Sequence, residues 1–496
     1  MQVLGTWHFE ITRNRLHGTK LPSTDSIGHL FNTNSPSKIA SWERARGIPI
    51  NIRWIFRPNF LPWATKGGLA IADQSFFAGA HLLLNVLLAR WFTSAEYGTF
   101  ALAYSVFVLF ASLHSALLVE PMLVFGAGRY SKRLDEYLGI LIRGHFVLML
   151  PVTLCTVAAA ILIGRWSSTS VAHAFLALAF AIPFILILWL IRRAFYVELR
   201  PGWATLGGLL YLIVLLPLML AMRMINRLST VTALGLMSVG AVFVSVFLLL
   251  RLRPQLISRS DGVESKDVAA AHWQYGRWSV AAAAAGWIPL NIYYLFLPAW
   301  FRLEQAAALR ALMNLIYPVL HVLIALGSLL IPTLVRNRWK GGKESMNRTM
   351  IISLTIFLSG SGLFSCALWV FRAQAFQLLY NNRYQQFGSR PLFFLLLSLS
   401  GTCIVAVLGA GLMALERPDG NFWSFIGSSI VTISVGLPLA AFRGVQGAAE
   451  GLLLSGFAAA ACMYFLYRRA QCGQSSVKIG LSENDLSIAQ QQPTVS

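Results

Sequence analysis

Long apolar segments are the feature that most constrains how this chain can fold. Twelve segments are long enough to cross a bilayer as helices, which takes about 20 residues each: 68–90, 97–118, 137–163, 171–191, 203–222, 229–250, 278–299, 306–334, 349–371, 391–415, 421–442 and 445–467. Only 12% of the residues are charged, half the share of a soluble domain. Because hydrocarbon cannot satisfy backbone hydrogen-bonding groups, the sequence predicts an all-α polytopic membrane protein of about twelve transmembrane helices.

The positive charges indicate how the helices are oriented. If the first segment starts in the cytoplasm, the loops on that side carry roughly twice as many Lys and Arg residues as the opposite loops. We therefore expect both termini to be cytoplasmic and the basic loops to face anionic membrane lipid. This placement also accounts for the net charge of +21 without a nucleic-acid partner, since no nucleic-acid-binding motif accompanies it.

The chain divides into two halves that resemble each other. A basic, polar cytoplasmic linker, 251–277, separates an N-lobe, 66–250, from a C-lobe, 278–468. Trp91-Phe92 and Trp300-Phe301 correspond at an offset of 209, which places Glu96 opposite Gln305. A chance match between apolar helices is the alternative to a true repeat. Two six-helix lobes of this kind enclose a central cavity, where substrate binds near the bilayer midplane.

Both ends of the chain differ from the apolar body. Residues 1–65 form a polar, basic leader, which we expect to be interfacial or disordered. Residues 469–496 have the composition of a disordered cytoplasmic tail.

Three stretches resemble one family of exporters. They are ARWFTSAEYGTFALAYSVFVLF, YGRWSVAAAAAGWIPLNIYYLFLPAWF and GLMALERPDGNFWSFIGSSIVTISVGLPLAAFRGVQGAAEGLLLSG. They are similar to the first hairpin, the seventh helix and the last two helices of polysaccharide flippases of the multidrug/oligosaccharidyl-lipid/polysaccharide exporter superfamily. The resemblance implies two lobes in a bacterial inner membrane. It also implies export of undecaprenyl-diphosphate-linked repeat units for exopolysaccharide or O-antigen, beside a polysaccharide polymerase and a chain-length regulator.

Charged groups inside apolar helices are the best candidates for a substrate site, because each costs about 2.5–3.5 kcal/mol to insert. Arg310 is the leading candidate, since a guanidinium can grip a diphosphate in bidentate fashion. Asn314 lies on the same helical face, and Arg277 could meet the anion on entry. Interfacial snorkelling of Arg310 and a positive-inside anchoring role for Arg277 are the alternatives.

A second set of charged residues lies near the cytoplasmic ends of the first three helices. Asp73, Glu120 and Arg143 could form one network there, with Arg143 in substrate binding and the two acids in ion coupling or gating. The alternative is an interfacial or structural ion pair.

Three further residues are candidates by their position within helices. Asn291 could bond sugar hydroxyls, and His81 could carry a coupling proton, although helix packing explains either residue as well. Pro289 interrupts the seventh helix and could act as a gating bend, with a static kink as the alternative.

The sequence offers little for other mechanisms. The five cysteines form no metal-ligand pattern, no Walker A pattern is present, and no cofactor is expected. Two alternatives remain open. One is a drug or peptidoglycan-precursor transporter of the same fold, and the other is a membrane polysaccharide polymerase or ligase. The outer loops are short for such an enzyme, so we expect no catalytic activity.

The orientation can be tested with a reporter fused after Arg469. Because the positive charge of the loops places this end inside, we expect activity from a cytoplasmic reporter and none from a periplasmic one. A fusion in the short turn near Arg302 provides the control, with the reverse result. Periplasmic activity of the Arg469 fusion would contradict the orientation.

Overall fold

The computed structural model describes residues 79–166, 168–254, 263–415, 417 and 419–489, and every regular element in these ranges is helical. The helices that match the predicted segments are α1 (79–91), α2 (Ser94–Ala127), α3 (Ser131–Trp166), α4 (Thr169–Val197), α5 (Pro201–Met224), α6 (Thr230–Leu252), α7 (Ser265–Asn291, continued by Tyr293–Trp300), α8 (Leu303–Trp339), α9 (Gly341–Val370), α10 (Ser389–Ala414), α11 (Asp419–Arg443) and α12 (Val445–Ala489). Of these, α2–α6 and α8–α12 are long and apolar enough to span a membrane, as is α7 when its two parts are taken together. The prediction of an all-α polytopic protein is confirmed.

Some boundaries differ from the sequence-based prediction. Helix α7 begins at Ser265, well before the predicted start at 278, because Val268, His272 and Gly276 give its first turns a buried face at four-residue spacing. Helix α12 runs to Ala489, so much of the segment predicted as a disordered tail is helical. The predicted leader, residues 1–65, lies outside the described residues.

A matching pair of contacts relates the two halves. The Glu96 carboxylate, in the first turn of α2, accepts a hydrogen bond from the backbone N–H of Thr230, the first residue of α6. The Gln305 side-chain oxygen, in the first turn of α8, accepts one at 3.0 Å from the N–H of Val445, the first residue of α12. Glu96 and Gln305 are the residues that the 209-residue offset aligns. In each half, this side chain accepts a hydrogen bond from the first N–H of the last helix.

Helix α7 contacts both halves. In its first part, the His272 Nδ1–H donates to the Leu117 carbonyl of α2 at 2.8 Å, and its Nε2 lies 2.7 Å from the Tyr137 hydroxyl of α3. Gly276 packs so closely on α2 that an added Cβ would lie 2.9 Å from a carbonyl oxygen. Further along, the Ala285 carbonyl accepts a hydrogen bond at 2.7 Å from Ser429 of α11. Helix α7 is therefore shared between the lobes.

The buried cores show where the lobes meet. One core joins residues of α1–α6 to 306–316 of α8 and to residues at the start of α10 and α12. A separate core lies at the opposite end of the second lobe and is built from that lobe alone, with members such as Leu334, Met350 and Met463. Along α8 beyond the shared core, Val322 and Leu329 are 56% and 62% exposed. The core that the lobes share therefore lies at the predicted outer end, whereas the second lobe has a core of its own at the predicted inner end.

The contact between α2 and α6 can be tested with Glu96→Ala. Loss of the acceptor leaves the first N–H of α6 unpaired, so we expect a destabilisation of about 1 kcal/mol, as for loss of a helix cap. Thermal unfolding of the purified protein in detergent measures the effect. Glu96→Gln is the control, because Gln305 makes the equivalent bond with an amide. An unchanged melting temperature for Glu96→Ala would contradict this role.

Candidate substrate-binding site

The two lobes meet around a buried arginine. Arg310 lies in a run of α8, from Ala306 to Ile316, in which every residue is buried. The Arg310 side chain is itself only 3% exposed, so it neither snorkels to the interface nor faces lipid. Its neighbours come from α1 and α2 of the first lobe and from α7 and α8 of the second. The site is therefore an interface between lobes.

Neutral polar groups surround the Arg310 guanidinium. Its Nε donates to Oδ1 of Asn85 at 3.1 Å, and one terminal nitrogen donates to the Tyr317 hydroxyl at 3.2 Å. The guanidinium carbon lies 4.5 Å from the ring centre of Tyr104, with the rings of Tyr294 and Tyr317 at 5.8 and 5.4 Å. Such cation–π contacts offset part of the cost of removing the charge from water.

The buried charge has no opposite charge beside it. Among the described residues, no carboxylate lies within ion-pair distance of Arg310, while exposed arginines such as Arg133 and Arg443 have acidic partners. A buried cation without a counter-ion is costly in a low-dielectric site. An anionic group entering between the lobes would supply the missing charge, so the geometry favours an anion-binding site.

Asn314 extends the site by one helical turn. Its Nδ2 donates to the Tyr97 hydroxyl at 2.9 Å, whereas its Oδ1 is buried and has no hydrogen-bond partner among the described residues. The Tyr97 ring contacts that of Tyr384, which belongs to the turn before α10. Burial raises the pKa of Tyr384 to about 12, so its phenol stays neutral. Asn314 therefore offers an unused acceptor beside neutral hydroxyls, which suits a sugar or an ammonium donor.

His81 reaches the same cluster from α1. Its Nδ1 lies 3.3 Å from the Tyr104 hydroxyl, and its ring meets the Trp189 ring edge-on. The Asn85 amide nitrogen donates to the His81 backbone carbonyl at 2.8 Å, and the Asn85 amide oxygen accepts the hydrogen bond from Arg310. The structure thus brings together three residues singled out from the sequence, Arg310, Asn314 and His81.

The sequence analysis missed the neutral partners of Arg310. They include Asn85, Tyr104 and Tyr317, and the partner of Asn314, Tyr97, was missed as well. A helical signal was present, because Arg310, Asn314 and Tyr317 follow i, i+4, i+7 spacing and so share one face. The pairing of that face with α1 and α2 depends on contacts more than 200 residues apart, which periodicity does not reveal.

Other candidates lie apart from Arg310. Arg277 is exposed near the predicted inner end of α7, where its guanidinium lies 5.9 Å from the Trp278 ring. Asn291 is buried and donates to the carbonyl of Trp287 in its own helix, at 3.2 Å. Arg143 is half-buried on α3. Roles for these residues in binding substrate stay predictions.

The proposed acidic network stays a prediction as well, since Asp73 lies outside the described residues. Glu120 follows a π-helical turn of α2, Ser115–Val119, a feature that often marks functional sites. Its Oε2 is buried without a hydrogen-bond partner among the described residues, and Ser279 of α7 lies against the carboxyl group.

Pro289 lies next to a bend. The two parts of α7 meet at Ile292 at an angle of 40°. Proline has no N–H to donate to the carbonyl four residues earlier, and that carbonyl, on Ala285, accepts from Ser429 instead. The bend is present as predicted, whereas a gating movement there stays a prediction.

The unpaired charge of Arg310 leads to a prediction about stability. Removing a buried charge saves the cost of taking it out of water, and even complete buried ion pairs are often replaced by apolar residues without loss of stability. We therefore expect Arg310→Met to melt no earlier than the parent protein in detergent, within about 1 kcal/mol. Arg192→Met is the matched control, because Arg192 is also buried and its Nε also donates a hydrogen bond, to the Ala204 carbonyl at 3.2 Å, but it lies inside the first lobe. A clear loss of stability in Arg310→Met alone would assign Arg310 a structural role.

Solved structures of transporters share this fold. A multidrug resistance MATE family transporter of the MOP superfamily, in its inward-facing conformation, matches with a TM-score of 0.65 and 15% identity, over 82% of this chain and 99% of that one. A MATE protein in complex with MaL6 gives 0.59 and 15%, over 84% and 97%. A MOP superfamily transporter from Pyrococcus furiosus gives 0.58 and 14%, over 83% and 96%.

The comparisons by sequence find no match. No protein-family model matches the chain, and no curated protein matches its sequence. The structural neighbours nevertheless share the two-lobed fold that the sequence resemblance implied. The chain therefore has the two-lobed helical fold of the MATE transporters of the MOP superfamily.

Proposed function

We propose that this chain is a membrane exporter that moves an undecaprenyl-diphosphate-linked oligosaccharide repeat unit by alternating access, for exopolysaccharide or O-antigen synthesis. The substrate headgroup would pass between the lobes while the prenyl chain stays in the bilayer. A polysaccharide polymerase and a chain-length regulator would receive the product. This role involves no catalytic step by the chain itself.

Arg310 is the observation that carries the proposal. Its guanidinium is buried between the lobes without a carboxylate partner among the described residues, so the site would attract an anion and disfavour a cation. A diphosphate matches the paired donors of a guanidinium better than a single-point anion does. The charge of the site therefore favours a lipid-diphosphate over a cationic drug.

The surrounding groups are suited to the sugar. Asn85, Asn314 and Tyr317 are hydrogen-bonding groups, and the rings of Tyr104 and Tyr294 offer flat faces near Arg310. These neutral hydroxyl and amide groups could give up their present hydrogen bonds and form hydrogen bonds with sugar hydroxyls instead. This supports a headgroup that combines one strongly anionic part with many hydroxyls.

The arrangement of the cores supports alternating access. The lobes share one core at the predicted outer end, and the second lobe has a core of its own at the predicted inner end. A rocking movement would separate the shared core and bring the inner ends of the lobes together. Arg310 lies in the shared core, so its surroundings would change in each cycle. This gives the anion different contacts in the two states, as directional movement requires.

A multidrug transporter is the second candidate, since structural neighbours are described as multidrug resistance transporters. The Pyrococcus furiosus neighbour, in contrast, is described as having a binding pocket of reverse polarity that suggests a different function. A peptidoglycan precursor also carries a lipid diphosphate and would fit Arg310. A polymerase or ligase finds less support, because the structural neighbours are transporters.

Analysis of lipid-linked intermediates in a deletion strain tests the proposal. Without the chain, complete single repeat units should accumulate in the cytoplasmic leaflet, where an added impermeant glycosidase cannot reach them. Single units exposed on the outer side would instead indicate a polymerase defect. Unchanged polysaccharide together with increased sensitivity to cationic drugs would favour the multidrug candidate.

Arg310 variants then test the site. Loss of a charge-assisted contact costs about 1.5–3 kcal/mol, so Arg310→Gln should lower export about 10- to 100-fold. Arg310→Lys should restore part of the activity, because it keeps the charge but loses the bidentate geometry. Arg302→Gln, which removes an exposed arginine just before α8, is the control and should export normally. Normal polymer yield from Arg310→Gln at a normal protein level would remove Arg310 from the site.

A further inference from the structure

A second pocket lies away from the lobe interface, at the predicted outer end of the second lobe. Its volume is about 560 Å³, and it lies between the ends of α9, α10, α11 and α12. The polar lining includes Arg390, Arg443 and Glu450, and the aromatic lining consists of Trp369, Phe393 and Phe394. We call it the outer pocket. None of its residues contributes to the Arg310 site.

The outer pocket carries one unbalanced positive charge. Glu450 is 9% exposed, and its carboxylate accepts two bonds from Arg443, at 3.0 and 3.2 Å, and one from Gln446 at 2.9 Å. The Arg443–Glu450 pair is therefore neutral as a unit. Arg390 is exposed and has no hydrogen-bond or ion-pair partner among the described residues. The pocket as a whole thus matches a ligand with a single negative charge.

The backbone at the start of α10 also favours an anionic ligand. Helix α10 begins at Ser389, so the pocket includes the first residues of a helix of 26 residues. The first N–H groups of a helix have no partner within it and carry a partial positive charge. In α10 these are the N–H groups of Ser389 and Arg390, because Pro391 has none. Together with the Arg390 guanidinium, they favour a phosphate oxygen at this point.

The opposite wall of the pocket is continuous with the membrane-facing surface. Phe393 is 50% exposed, and Leu397, one turn further along α10, is 43% exposed. The ring of Trp369 meets that of Phe393 edge-on at 5.8 Å. Tryptophan beside arginine is typical of the headgroup level of a bilayer, with apolar side chains extending toward its centre. A ligand in the pocket could therefore place an acyl chain along Phe393 and Leu397.

We infer that the outer pocket binds the headgroup of a monoanionic phospholipid, with its phosphodiester at Arg390 and an acyl chain along α10. One negative charge matches the net charge of the pocket, and the apolar path beside it accounts for the tail. A zwitterionic lipid would add an ammonium group, whose natural partner, Glu450, is already occupied by Arg443 and Gln446. This inference does not depend on the exported substrate.

Lipid titration of the purified full chain tests the inference. Delipidated protein in a neutral detergent is titrated with phosphatidylglycerol or with phosphatidylcholine of the same acyl composition, and retained lipids are counted by native mass spectrometry. We expect one tightly retained phosphatidylglycerol that Arg390→Gln weakens about tenfold. Arg223→Gln is the matched control, because Arg223 is an exposed arginine at the same predicted end of the first lobe.

A second variant should have the opposite effect. Glu450→Gln keeps hydrogen-bonding groups for Arg443 but removes the negative charge, so phosphatidylglycerol should bind more tightly than to the parent protein. Equal binding of phosphatidylglycerol by Arg390→Gln and the parent would overturn the inference, as would weaker binding by Glu450→Gln. Complete displacement of the lipid by millimolar inorganic phosphate, or by a neutral disaccharide, would show that another class of ligand occupies the pocket.

Discussion

Hydrocarbon offers no hydrogen-bond partner, and the structure meets that constraint at two proline-interrupted helices with hydroxyl groups of neighbouring helices. Pro183 and Pro289 each deprive a carbonyl four residues earlier of its usual donor. In α4 the freed carbonyl of Ala179 accepts from Thr153 at 3.3 Å, and in α7 that of Ala285 accepts from Ser429. In both cases a hydroxyl on a neighbouring helix replaces the missing N–H. The same bonds tie helices together, so each interruption also fixes a helix contact.

The Arg310 site sets a different requirement. The lobe interface buries a full charge, that of Arg310, among neutral polar groups. Such an interface can close, but the closed state is only moderately stable. The reason is that a ligand or water can solvate the Arg310 cation better than tyrosine side chains do. Under the proposed function, this would let the two lobes separate in each cycle when an anionic headgroup takes the place of the neutral groups.

The sequence predicted the helices well because long apolar runs are a strong signal. The offset of 209 residues also identified Glu96 and Gln305, which make equivalent contacts. The start of α7 was missed because exposed residues such as Trp273 mask the narrow buried face that begins at Val268. Asn85 and Tyr104, which contact Arg310, were missed because they lie on helices that are distant in the sequence. Local periodicity identifies an element, but it does not identify the element that packs against it.

The sharing of α7 has a consequence for synthesis. A chain made from its N-terminus inserts α1–α6 first, yet the surface of α2 and α3 that receives His272 and Gly276 is still uncovered at that stage. The first lobe is completed only when α7, which follows the polar connection, has left the ribosome and entered the bilayer. A nascent six-helix intermediate therefore presents an open groove, and an insertase or chaperone that shields this groove would protect the chain during biogenesis.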